Sequence, residues 1–161
     1  GESLVSSAKV AAMILFIMAS SKLFSQLLAF TGGASAMTEW VVGLEQSRWV
    51  MLILLMLLPF VLCMFIDQIA LMLIVIPIYL PIIEELQFDP IWFWLLFLVN
   101  ITVGGMTPPF GYTLFALKSA WEDASLGKVF SSAWPFVLLY LLGMIVLALV
   151  PGLTTLLPSM L

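Results

Sequence analysis

Histidine is absent from this 161-residue sequence, cysteine occurs once, and charged residues make up only 9%. Each shortage closes off a class of function. Without histidine, the Ser-His and Cys-His nucleophile pairs have no base, and the usual structural metal sets lose a principal ligand. The lone Cys63 has no partner for an internal disulfide. A soluble domain carries about 25% charged residues. Here 64% of residues are apolar, too many for a chain that must also show water a polar face, so the sequence reads as membrane-embedded. A net charge of −4 gives no support to nucleic-acid binding. The opening Gly1-Glu2-Ser3 has no basic leader, and the chain reads as one piece of a larger protein.

What is present is a series of apolar stretches divided by short polar breaks. The expected fold is an all-α integral membrane protein forming a single membrane domain over residues 1–161. A spanning helix is expected over residues 4–30. Lys22 lies late in it, where its stem can snorkel to the interface. Loop chemistry at Thr31-Gly32-Gly33-Ala34-Ser35 ends this helix. Residues 31–48 then form an interfacial loop and helix, because Glu39, Glu45 and Arg48 alternate with Trp40 and Trp49. Residues 49–83 are apolar except for Asp67-Gln68. As one straight helix they would reach roughly 50 Å, well beyond a hydrocarbon core of about 30 Å, so a helical hairpin bending at the polar pair is expected. Pro59, Pro77 and Pro81 each remove a helix hydrogen bond within its arms. Glu84-Glu85 and Asp89-Pro90 form the next break. Residues 91–117 contain Gly104-Gly105-Met106-Thr107-Pro108-Pro109-Phe110-Gly111, which no continuous helix survives. A discontinuous helix is therefore expected there, then a polar loop from Lys118 to Lys128, and a spanning helix over 130–150. The dispersed methionines suit packing.

Two places could carry chemistry. Backbone groups that leave a helix inside lipid cost several kcal/mol each if unpaired. The break at 104–111 therefore implies a bound ligand or a protein surround, against the alternative of a plain proline kink. Freed carbonyls and half-helix C-termini are how transporters ligate cations, Thr107 adds a hydroxyl, and oxygen ligands suit a hard ion such as sodium. Asp67 has two readings. It is a functional intramembrane carboxylate, or it sits in a wet turn on the far side of the membrane. An intramembrane enzyme has little support, since Asp67 lacks a partner carboxylate.

The strings Met64-Phe65-Ile66-Asp67-Gln68-Ile69-Ala70 with Ile74-Val75-Ile76-Pro77-Ile78-Tyr79-Leu80-Pro81-Ile82 form one signature. Asp89-Pro90-Ile91-Trp92-Phe93, Val99-Asn100 and Gly104-Gly105-Met106-Thr107-Pro108-Pro109-Phe110-Gly111-Tyr112-Thr113-Leu114-Phe115 form another. In this order they resemble the C-terminal half of the large membrane subunit of TRAP (tripartite ATP-independent periplasmic) transporters, from about Ser6 to Pro158. The resemblance implies an elevator-type, sodium-coupled permease of the bacterial inner membrane. It would import organic acids, such as C4-dicarboxylates or sialic acid-like substrates, from a periplasmic binding protein with the aid of a small membrane subunit. It also implies one inverted repeat, built of spanning helices, a re-entrant hairpin and a discontinuous helix, that needs a first-repeat partner. The family's second-repeat sodium site carries over to Cys63, Gly104, Thr107 and Phe110, mainly through backbone oxygens. Asp67, Gly105, Pro108, Pro109 and Thr113 become candidates for substrate contact or coupling.

The sequence departs from the family's usual Gly at Cys63 and its common Asn at Thr113. A reading of another class is a truncated or non-transporting scaffold that only packs with partner subunits. Lys9, Lys118 and Lys128 against a lone Arg48 place residues 118–128 inside and residues 31–48 and 84–90 outside.

Overall fold

The computed structural model describes residues 2–108, 111–121 and 123–155. Among these, all regular structure is helical: α1 (Glu2–Thr31), α2 (Gly33–Val42), α3 (Arg48–Cys63), α4 (Gln68–Glu85), α5 (Pro90–Met106), α6 (Tyr112–Ala120), α7 (Leu126–Leu149) and α8 (Gly152–Thr155). Three helices, α1, α4 and α7, are long and apolar enough to cross a membrane. Large apolar side chains such as Phe16, Leu23, Leu139 and Leu142 face outward from α1 and α7, as they do when the surrounding solvent is lipid. The chain is a multi-pass membrane protein.

The polar breaks double as helix caps. Ser47, Asp67, Asp89 and Ser125 each accept a hydrogen bond from the first-turn backbone of α3, α4, α5 and α7, and Pro90 occupies the first turn of α5, where a missing N–H costs nothing. The cap at Ser125 starts α7 at Leu126, inside the stretch expected to be loop. The loop expected over residues 31–35 contracts to Gly32, whose φ of 71° alone breaks the helix, so that α2 begins at Gly33.

α3 and α4 run antiparallel. The Arg48 guanidinium donates to the Gln87 carbonyl at 2.7 Å, and the Tyr79 hydroxyl donates to the Leu55 carbonyl at 2.9 Å. Residue numbers that fall on one arm as they rise on the other identify a hairpin turning at residues 64–67. α5 packs along it. Phe93, Leu96 and Phe97 are fully enclosed against Leu52, Leu55, Tyr79, Ile82 and Ile83. The Tyr79 ring meets Phe93 and Phe97 edge-on, with centroids 6.2 and 6.1 Å away.

Three prolines mark places where these helices are tied together. A proline has no N–H, so the carbonyl four residues earlier loses its helical donor, and in lipid no water replaces it. Pro59 frees the Leu55 carbonyl, which Tyr79 of α4 satisfies. Pro77 frees the Leu73 carbonyl, which the Ser21 hydroxyl of α1 satisfies. Pro151 frees the Leu147 carbonyl at the end of α7, which the Trp92 indole of α5 satisfies at 2.9 Å. In each case the replacement donor comes from a different helix, so the defect in one helix becomes a specific link to another.

Candidate functional site

The hairpin turn and the break after α5 are held against each other. α3 ends at Cys63, which is buried, and α5 passes its last turn there with Gly104. A Cβ placed on Gly104 would lie 2.8 Å from the Cys63 Cβ and 2.8 Å from the Phe60 carbonyl oxygen. Real Cβ atoms do not approach so closely, so this crossing requires glycine. One helical turn earlier, buried Asn100 donates from Nδ2 to the Met56 carbonyl at 2.7 Å, tying the same two helices.

Thr107 caps α5 in an extended conformation, with φ −90° and ψ 132°. Its N–H bonds the Gly104 carbonyl at 3.1 Å, and its buried hydroxyl donates to the Val103 carbonyl at 2.6 Å. The Thr113 hydroxyl, on the first turn of α6, reaches back to the Gly105 carbonyl at 3.3 Å. Two threonines therefore serve three carbonyls at the end of α5. Each carbonyl, and the Thr107 oxygen, keeps a further lone pair, and the negative end of the α5 dipole points into the break. Gly111 closes the segment, because a Cβ there would meet the Met106 carbonyl carbon at 3.0 Å and the Thr107 carbonyl oxygen at 3.2 Å. Pro108 is half-buried within the break.

The structure thus brings Cys63, Gly104, Gly105, Thr107 and Thr113 to one locus. Pro109 and Phe110 lie outside the described residues. Asp67 stands in the hairpin turn, exposed, with its carboxylate accepting from the Ile69 and Ala70 N–H groups at 3.0 and 3.1 Å; its position is that of a helix cap. Beside it, the Gln68 Oε1 is buried with no hydrogen-bond partner among the described residues. No three His, Cys, Asp or Glu side chains converge among the described residues, so the donors this locus offers a cation are carbonyl and hydroxyl oxygens. Sequence reasoning gave Tyr79, Trp92 and Ser21 no role as donors between helices. The proline positions mark which carbonyls need donors, but not which helix supplies them.

The sequence matches the family described as the tripartite ATP-independent periplasmic transporter, DctM component, over residues 1–153. This chain belongs to the DctM family. It is 32% identical over 158 residues to the C4-dicarboxylate TRAP transporter large permease protein DctM of Rhodobacter capsulatus, covering 98% of this chain and 36% of the relative. It is 32% identical over 156 residues to the protein of that description from Pseudomonas aeruginosa, covering 97% of this chain and 36% of the relative. The ectoine TRAP transporter large permease protein TeaC of Halomonas elongata is 29% identical over 142 residues, covering 88% of this chain and 33% of that protein. The chain therefore spans about a third of the length of these DctM-family relatives, and it matches their C-terminal part. No solved structure matches it. The relatives are named as transporter permeases, which are not enzymes.

Proposed function

We propose that this chain is the C-terminal part of a sodium-coupled permease of the bacterial inner membrane that imports organic acids handed over by a periplasmic binding protein. C4-dicarboxylate is the substrate in the names of two relatives and ectoine in that of a third, so the substrate class is small polar metabolites, with dicarboxylates foremost. The remaining part of the large permease and a small membrane subunit are the partners this reading requires.

The observation that carries the reading is the contact between the hairpin turn and the last turn of α5 at Gly104. It gathers carbonyl oxygens and the Thr107 hydroxyl at a break that lipid would otherwise penalise. Sodium, as the coupled ion, would be held by the Thr107 hydroxyl and the carbonyls around Gly104 and Cys63. α3 has 16 residues, a rise of about 24 Å against a hydrocarbon core of about 30 Å, which suits a re-entrant hairpin entering from the side of Arg48. Such a locus travels with its hairpin, in keeping with an elevator-type movement.

The test is uptake by the assembled permease, with its binding protein, in proteoliposomes across a sodium titration. Thr107→Val keeps the side-chain shape and removes one oxygen ligand. A lost contact to a charged group costs about 1.5–3 kcal/mol, so sodium affinity falls roughly 10- to 150-fold. Apparent substrate affinity worsens alongside at fixed sodium, because linked sites are coupled reciprocally. An unchanged sodium dependence removes this hydroxyl from the ligand set.

A further inference from the structure

Three helix ends meet at one level of the molecule. α3 begins at Arg48, α5 begins behind its cap Asp89, and α7 ends just before Pro151. Two cavities open side by side there and share Trp49 as a wall. One, of about 420 Å³, is a groove between α3, α5 and α7, with Leu52, Met56, Phe60, Met144 and Ala148 among its almost wholly apolar lining. Along α3 it runs from Trp49 to Phe60, about 16 Å of helix rise, which is the depth of one leaflet of a core about 30 Å thick. The other, of about 230 Å³, is bounded by Arg48, Asp89, Phe88, Trp92 and Pro151.

The mouth carries both signs of charge. Arg48 is exposed, and its guanidinium is steadied by the Gln87 carbonyl at 2.7 Å and by the Phe88 ring, 4.8 Å from its centroid. A guanidinium has five N–H donors, more than this one contact uses. Asp89 is exposed and spends Oδ1 on the Trp92 N–H at 2.9 Å, which leaves acceptor capacity on the carboxylate. Exposed Trp49 flanks the mouth, a residue type that favours the headgroup level of a bilayer, and buried Trp92 lines its wall.

We propose that the two adjacent cavities, taken together, are a site for a phospholipid with an ethanolamine headgroup. One acyl chain lies in the groove, the phosphate sits on Arg48, and the primary ammonium bonds Asp89. An anionic headgroup would leave Asp89 facing like charge, and a choline headgroup has no N–H to donate. The site does not depend on the transport reading.

Native mass spectrometry of the chain, released from nanodiscs holding equal amounts of phosphatidylethanolamine, phosphatidylglycerol and phosphatidylcholine with identical acyl chains, tests this. The expected adduct is one phosphatidylethanolamine, favoured about tenfold over phosphatidylcholine. Asp89→Asn keeps the helix cap and abolishes that preference. Arg48→Gln weakens all three lipids, and Arg48→Lys restores them in part. Ala148→Trp fills the groove and removes the adduct while thermal unfolding stays cooperative. Retention of the lipids in the proportions supplied, preference for phosphatidylglycerol, or an adduct indifferent to Ala148→Trp overturns the proposal. So does loss of the adduct when the chain is co-assembled with the rest of the permease, which would make the groove a face between protein segments.

Discussion

Tyr79→Phe is the most discriminating perturbation of the proline-linked architecture. It keeps the ring that packs edge-on against Phe93 and Phe97 and deletes only the hydroxyl that reaches the Leu55 carbonyl at 2.9 Å. That carbonyl has no helical donor because residue 59 is proline. Leaving a buried acceptor unpaired costs about 1–3 kcal/mol, while interhelical hydrogen bonds in membranes average nearer 0.6 kcal/mol, so a loss of about 1 kcal/mol is expected. The decisive comparison is the same change in a Pro59→Ala background. Alanine supplies the missing N–H, the Leu55 carbonyl regains its helical partner, and the tyrosine hydroxyl becomes redundant. Tyr79→Phe should then cost only a few tenths of a kcal/mol, giving a coupling of about 1 kcal/mol between residues 59 and 79. Reversible unfolding in mixed micelles, followed by circular dichroism for all four proteins, measures it. Equal costs in the two backgrounds would refute the idea that the hydroxyl replaces the proline's missing donor.

Gly104→Ala forces a Cβ to within 2.8 Å of the Phe60 carbonyl and the Cys63 Cβ; it should destabilise by about 1–3 kcal/mol, and Cys63→Gly should relieve only part of that in thermal unfolding, because the backbone contact remains. Asp67→Ala should cost about 1 kcal/mol through the lost cap of α4, with Asp67→Asn close to wild type; equal losses in the two variants would point to a role for the charge itself. Gln87 ends α4 at φ 53°, with its N–H on Glu84 and the next N–H on Ile83, the helix stop that favours glycine; Gln87→Gly should raise stability by up to about 1 kcal/mol, read as a shift in unfolding midpoint.

Composition and pattern alone determined that the chain is helical and lives in a membrane. Too few charged residues exist to clothe a soluble surface, and in lipid a chain without closed strands must satisfy its backbone within helices. The motif strings around Asp67 and Gly104 also sufficed to place it in its family, because their residues and their order along the chain carry the resemblance. The same sequence left Asp67 between a functional carboxylate and a turn. Only the folded chain gave it a cap's position, since capping depends on which N–H groups its carboxylate faces. Nor could spacing along the chain say that Cys63 would meet Gly104, that Ser21 would serve Leu73, or that Arg48 and Asp89 would share the mouth of one groove. Those meetings are long-range. A proline announces an unpaired carbonyl locally, but the donor that answers it is chosen by how helices pack, and that choice belongs to the tertiary structure.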